Sequence, residues 1–356
     1  MVQYIFDRRN LAIGFNFFLL VTIYSTLNTL TNNFHQTHLS NKSKNKKISK
    51  HSALSKTIRQ LQSTQEQLQY TQTQVHTHEQ EKKTRIPEAV WLLPSKTWQP
   101  PKKLTREKPI TVVIPSYNNS KWYKYNLSSI FAQEYSNYNI IYIDDCSPDN
   151  TGSLVEQFIK QQHQEKRITL IKNKKRMGGA LGNIYKAAQM TNPQNIIAVV
   201  DGDDWLAHCQ VFQLLNEVYD DPNVWLTYGQ LQIFPSNDIG WCQDFPAEVI
   251  KNNLYRSYPW ISSHLRTCYA WLFHKIELED LFYENDFYSA ATDQAYMFPL
   301  LEMTGGKFKF IPHINYIYNQ ANEINVNKIK QQLQTFMAQN IRNKPAYKAI
   351  EHRISK

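Results

Sequence analysis

The tetrad Asp201-Gly202-Asp203-Asp204 closes the apolar run Ile196-Ile197-Ala198-Val199-Val200. Acidic residues gathered where a buried strand ends repel one another and lose hydration, so a cation should meet them. Hard divalent ions such as Mn²⁺ or Mg²⁺ take carboxylate oxygens and join them to the phosphate oxygens of a substrate. An acidic loop capping the next helix would use the same residues. Upstream, Asp144-Asp145 ends a second apolar segment and runs into Cys146-Ser147-Pro148-Asp149-Asn150. A carboxylate there can accept hydrogen bonds from a base N–H or a ribose hydroxyl, or cap the helix that follows. Between them, Lys172-Asn173-Lys174-Lys175-Arg176-Met177-Gly178-Gly179 offers cations and glycines ahead of a helical stretch. Free N–H groups at such a helix start attract phosphate. The segment is not GxGxxG, so a dinucleotide fold has little support.

The elements that must position these residues alternate. Short strands are expected at Ile110–Ile114, Asn139–Ile143, Ile168–Ile171 and Ile196–Val200. Helical patterns follow each of the first three, through Leu127 and Ile130, through Leu154 to Ile159, and from about Ala180 to Met190. Such alternation implies an α/β fold with a mostly parallel sheet covered on both faces. Ligands gather at the carboxyl ends of such strands. Three of those ends carry polar chemistry: Pro115-Ser116-Tyr117-Asn118, Asp144-Asp145 and the tetrad.

Taken in order, Val112-Val113-Ile114-Pro115-Ser116-Tyr117-Asn118, Tyr142-Ile143-Asp144-Asp145-Cys146-Ser147-Pro148-Asp149-Asn150-Thr151 and Asp201-Gly202-Asp203-Asp204 resemble the family 2 glycosyltransferases, which have the Rossmann-like GT-A fold. The resemblance runs from about Pro109 to Asn322. It implies a nucleotide-binding surface with Pro115, Tyr117 and Asn118, and Asp145 as the carboxylate that reads the base, usually uracil. Asp201 and Asp203 match the family's DxD pair, which meets the ribose and a Mn²⁺ or Mg²⁺ ion on the diphosphate. Arg176 falls in the basic segment beside that diphosphate. Asp293, in Thr292-Asp293-Gln294-Ala295-Tyr296, stands where the family places its catalytic base, with Thr292 replacing a Glu. Many relatives bind the metal with a late His; Tyr316-Ile317-Tyr318-Asn319 reads Asn there, and His313 lies close by.

The activity so implied is metal-dependent, inverting transfer of a sugar from a nucleotide sugar, expected to be UDP-linked, to a hydroxyl on a glycan, lipid or protein. Asp204 and Trp205 are expected to touch sugar. His264, Arg266 and Trp271, in the aromatic-rich segment Trp241–Lys275, are expected to form the acceptor side. Two other readings compete. A sugar-phosphate nucleotidyltransferase would need a Gly-rich basic loop after the first strand, and Pro115-Ser116-Tyr117-Asn118 is not one. A tethered scaffold that binds sugar nucleotide without turnover would fit the departures at Thr292 and Asn319.

The formal net charge of +10 raises the question of nucleic acid. Much of it sits at Lys42, Lys44, Lys46, Lys47 and Lys50, and the rest is scattered, so no nucleic-acid partner is expected. The 4 cysteines form no CxxC and suggest neither zinc nor a disulfide framework. Leu11 to Leu30 holds no charged residue and has about the ~20-residue length of a membrane span. Residues 1–31 are therefore read as an uncleaved single-pass anchor. The lysine cluster after it favours a cytosolic catalytic domain. Leu54, Ile58, Leu61, Leu68 and Val75 mark a heptad seam interrupted by Gln65 and Gln72, so residues 32–108 read either as a stalk able to form a coiled-coil homodimer or as a disordered polar spacer. Residues 109–322 would be the glycosyltransferase domain, and 323–356 a polar helical tail with no functional clue.

Overall fold

The computed structural model describes residues 92–100, 106–177, 179–324 and 331–353. The expected anchor and the heptad seam lie outside them. Among the described residues no helix is long and apolar enough to cross a membrane. Lys82–Lys356 forms one compact unit.

Its centre is β1 (Ile110–Ser116), buried along its whole length. A strand covered on both faces reads as a continuous apolar run rather than an alternating one. On one side β1 pairs in parallel with β2 (Tyr138–Asp144), and β2 with β3 (Ile168–Lys172). On the other it pairs in parallel with β4 (Ile196–Val199). The connecting helices are α1 (Tyr123–Phe131), α2 (Thr151–Gln161) and α3 (Ala180–Met190). All four expected strands and the α3 span are present. Because the strands run the same way, Ser116, Asp144 and the residues after Val199 reach one end of the sheet.

The second half is mixed, which the alternating pattern does not foretell. After β5 (Trp205–Leu206) and α4 (Val211–Val218), β6 (Leu226–Phe234) and β7 (Arg266–Tyr269) pair antiparallel, and β7 pairs antiparallel with β4. Beyond α5 (Ala247–Lys251), α6 (Ala270–Phe273) and the small ribbon β8 (Phe282–Tyr283)–β9 (Asp286–Phe287) comes α7 (Thr292–Thr304). β10 (Phe308–Asn319) then runs parallel to β6 and antiparallel to β5. The sheet order is β3-β2-β1-β4-β7-β6-β10-β5.

That order constrains the tetrad. β4 and β5 are four strand intervals apart, about 19 Å in a flat sheet. The chain from Val199 to Trp205 could span roughly 20 Å only if fully extended. It is not extended, because Asp204 N–H donates to the Asp201 carbonyl (3.0 Å). The sheet must curl to close the gap, and the tetrad lies across its mouth. α8 (Gln331–Arg342) belongs to the same compact unit, with Met337 and Ile341 buried.

Candidate active site

Gly202 is where the tetrad presses on β1. Its N–H donates to the Pro115 carbonyl (3.1 Å), and a Cβ there would sit 2.7 Å from Ser116 Cβ and Oγ and from Asn119 Nδ2. Asn126 of α1 braces the turn from behind, its amide donating to the carbonyls of Asp201 (2.9 Å) and Asp204 (2.8 Å). β10 braces it from the other side. The Tyr316 hydroxyl donates to Asp204 Oδ2 (2.8 Å) and accepts from Asp201 N–H (3.0 Å), while Asn319 N–H donates to Asp204 Oδ1 (2.7 Å). Asp203 Oδ2 accepts from Asn322 (2.8 Å).

Three carboxylates thus share a small volume. Burial lifts Asp201 to about 6, with Asp203 and Asp293 adding repulsion and Arg266 opposing it. Burial also raises Asp203, and it pushes Asp204 well up with Asp203 and Asp201 as further causes. His264 stacks on Tyr316 with ring centroids 4.4 Å apart, and its Nε2 lies 3.9 Å from Asp201 Oδ2. Burial, with the Arg266 charge, holds this imidazole well below its ordinary range, so it stays neutral. Its Nδ1 is buried with no hydrogen-bond partner.

Asp201, Asp204 and His264 each offer one ligand atom, all within 4.8 Å of one another. Carboxylate oxygens with a neutral imidazole fit Mn²⁺ or Mg²⁺, and the repulsion among the crowded carboxylates is what a cation would relieve. The residues present therefore fit a divalent ion. The grouping takes in Asp204 and His264, whereas the Asp203 side chain is turned to Asn322. Asn319, at the position of the relatives' His, spends its amide on the Asp203 carbonyl (3.0 Å) and its oxygen on Ala321 N–H (3.0 Å). His313 meets Thr97 (3.0 Å) and is not in the cluster.

Arg266, at the start of β7, connects the tetrad to α7. Its side chain is 4% exposed, with Nη2 3.5 Å from Asp201 Oδ2 and Nη1 3.2 Å from Asp293 Oδ2. Asp293 stands in the first turn of α7, where the helix dipole favours a carboxylate. One guanidinium so joins two carboxylates far apart in the chain.

The other flank is built on β2. Asp145 N–H donates to the Ser116 carbonyl (2.8 Å). Its Oδ1 accepts from Asn173 (2.9 Å) and Met177 N–H (3.0 Å), which folds the basic loop over the end of β2. Its Oδ2 is buried without a hydrogen bond, with Arg176 Nε 3.6 Å away. The Arg176 guanidinium lies over the Tyr117 ring, 3.5 Å from its centroid. Asn118, at φ 56°, donates its N–H to Ser147 Oγ (3.0 Å) and leaves its Oδ1 buried and unpaired. Asp144 faces inward, taking the Ser147 hydroxyl (2.5 Å).

Two expected sugar contacts sit elsewhere. Trp205 is 4% exposed, its ring packed between Tyr125 and Phe234. Trp271 packs edge-on against Trp225, and its backbone N–H donates to the Pro193 carbonyl (3.0 Å) before β4 starts, at the opposite end of the sheet from the tetrad. Tyr316, Asn322 and Asn126 hold the carboxylate turn in place and Asn173 holds Asp145, though none was expected as a site residue. The signal for Tyr316 and Asn173 was their place inside the segments Tyr316–Asn319 and Lys172–Gly179.

Residues 111–282 match the family model described as Glycosyl transferase family 2. The chain carries a family 2 glycosyltransferase domain. Among curated relatives, this domain is 28% identical over 151 residues to the UDP-Glc:alpha-D-GlcNAc-diphosphoundecaprenol beta-1,3-glucosyltransferase WfgD of Escherichia coli, covering 42% of this chain and 55% of that protein. It is 30% identical over 111 residues to glycosyltransferase GlyA of Streptococcus pneumoniae serotype 4, covering 31% of this chain and 15% of that one. The match thus spans about half the length of the first relative and far less of the second. A solved mannosyltransferase from Pyrobaculum calidifontis, in complex with GDP-Man and Mn2+, overlaps with a TM-score of 0.46 at 16% identity, over 77% of this chain and 72% of that one. An overlap that loose carries no argument about ligands.

Proposed function

We propose that the chain transfers a sugar from a nucleotide sugar, UDP-linked, to an acceptor hydroxyl, with inversion at the anomeric carbon. The Arg266 bridge carries this reading, because it puts the tetrad and Asp293 at one site. The E. coli relative, named for a UDP-Glc donor, supports the choice of nucleotide. Asp145 Oδ2, buried without a hydrogen bond and 3.6 Å from Arg176 Nε, would accept from the base, and Tyr117 with Arg176 would flank the ring and diphosphate.

A divalent ion held by Asp201, Asp204 and His264, with Asp203 nearby, would supply Lewis-acid stabilisation of the departing diphosphate. The remaining steps belong to the protein. Asp293 takes the proton of the acceptor hydroxyl as its oxygen bonds to the anomeric carbon. On the opposite face the bond from that carbon to the phosphate oxygen breaks, and its electron pair leaves with the nucleoside diphosphate. Arg266 fixes the Asp293 carboxylate in place while screening it from Asp201. General-base catalysis of this kind is worth roughly 10²–10⁴-fold. The acceptor is a hydroxyl of a glycan, lipid or protein, and the anchor and stalk read from residues 1–108 would hold the domain, as a homodimer, on the cytosolic side of a membrane.

The test is release of UDP from UDP-sugars by the purified full chain with manganese, and its loss on chelation. Asp293→Asn should lower the rate by about 10²–10⁴-fold and keep UDP affinity. Unchanged turnover in that variant removes Asp293 from the mechanism. UDP binding without release, across a panel of UDP-sugars, points to the scaffold instead.

A further inference from the structure

α7 begins without a cap of its own. Its N-cap residue, Ala291, sits at φ 51° and has no side chain able to accept a hydrogen bond. The Ala291 carbonyl receives the first helical N–H groups, from Gln294 (3.0 Å) and Ala295 (3.2 Å). Its own N–H points out of the helix. In a self-contained helix start, an N3 Glu or Gln reaches back to that N–H. Here the acceptor comes from another helix: Gln334 Oε1 of α8 takes the Ala291 N–H at 2.7 Å. Asp293 stands two residues further on.

The grip is wider than one bond. The Tyr288 hydroxyl donates to Asn340 Oδ1, and Lys344 Nζ donates to the carbonyls of Glu279 (2.9 Å) and Phe282 (3.2 Å). Phe336 packs edge-on against Tyr283 with centroids 5.6 Å apart. Residues 334–344 therefore hold the segment 279–291 along its length. The inner side of that segment rests on the start of α3. A Cβ on Gly182 would meet the Phe287 ring at 2.9 Å, and one on Gly179 would come 3.4 Å from Ser289 Cα. The turn that carries Asp293 is thus clamped between α3, which follows the basic loop on Asp145, and α8.

We infer that Gln334 is a positioning residue for Asp293: it fixes the start of α7, and with it the base, from outside the glycosyltransferase motifs. The inference rests on the proposed role of Asp293, but the clamp itself can be read without turnover. Gln334→Met removes the acceptor oxygen at nearly constant shape, and Gln334→Glu keeps one. In the full chain, hydrogen–deuterium exchange over residues 288–294 should be faster in Gln334→Met than in wild type and close to wild type in Gln334→Glu. With a UDP-sugar and manganese, Gln334→Met should lose roughly 10- to 100-fold in kcat, the scale of a misplaced catalytic group, while the UDP dissociation constant stays within about twofold. Gln334→Glu should recover kcat to within about threefold of wild type. If Gln334→Met does not fold, Tyr288→Phe, which deletes only the hydroxyl held by Asn340, makes the same two measurements on the same turn. Exchange that does not change overturns the inference whether or not any donor is turned over. So does equal loss of kcat in the Met and Glu variants, or UDP affinity falling in step with kcat.

Discussion

The two halves of the sheet build the site in different ways. In the parallel half, β3-β2-β1-β4, each strand ends in its own functional residues, so Ser116, Asp144-Asp145 and the tetrad are contiguous with the runs that carry them. In the mixed half, β7-β6-β10-β5, the contributors arrive singly from separate strands: His264 and Arg266 at β7, Tyr316 and Asn319 on β10. A parallel half writes its chemistry as motifs, whereas a mixed half writes it as isolated residues that only strand pairing brings together. The mixed half also supplies the charge balance, since Arg266 is the cation that meets both Asp201 and Asp293.

Substitutions that separate the halves sharpen this contrast. The largest effect is expected at the junction. Arg266→Met leaves Asp201 and Asp293 facing each other without their shared cation, and removing one partner of a buried ion pair costs about 3–5 kcal/mol. Urea unfolding of the metal-free protein measures this; a loss below 1 kcal/mol would mean the halves are not joined through that guanidinium. Next, within the parallel half, Asp145→Asn keeps the shape but removes the charge. A hydrogen bond to a charged group is worth about 1.5–3 kcal/mol, so UDP should bind roughly 10- to 100-fold more weakly in titration calorimetry, with stability little changed. Equal UDP affinity would take Asp145 out of base recognition. Smallest is Gly202→Ala. The added methyl meets Ser116 and Asn119, and overpacking of this kind costs roughly 1–3 kcal/mol. A melting temperature equal to wild type would show that the tetrad can step away from β1.

The same contrast explains what could be read in advance. Four strands, the α3 span and the place of Asp293 at a helix start were legible, because apolar runs and acidic strand ends are local features. The strands of the mixed half, β6, β7 and β10, were not, since nothing local to them states which strand will pair with which. Trp271 was expected on the acceptor side, yet it is drawn into packing on Trp225 at the far end of the sheet. Trp205 followed the tetrad closely enough to suggest contact with sugar, but β5 pairs with β10 and turns the ring in among Tyr125 and Phe234. His264 and Arg266 were noticed for the acceptor side; the curl of the sheet carries them instead to the carboxylates. The polar stretch after Asn327 carried no motif, and its part in holding the Asp293 turn depends on a hydrogen bond across 43 residues of chain.

Asn126 has a consequence beyond bracing. It heads the triplet Asn126-Leu127-Ser128, a sequence that oligosaccharyltransferases accept in secreted proteins. Yet its side chain is wholly buried, and its amide nitrogen already reaches two carbonyls of the tetrad turn. A carbohydrate attached at that nitrogen would remove a donor hydrogen and wedge apart α1 and the acidic turn. This polypeptide can therefore be decorated there or folded as described, but not both.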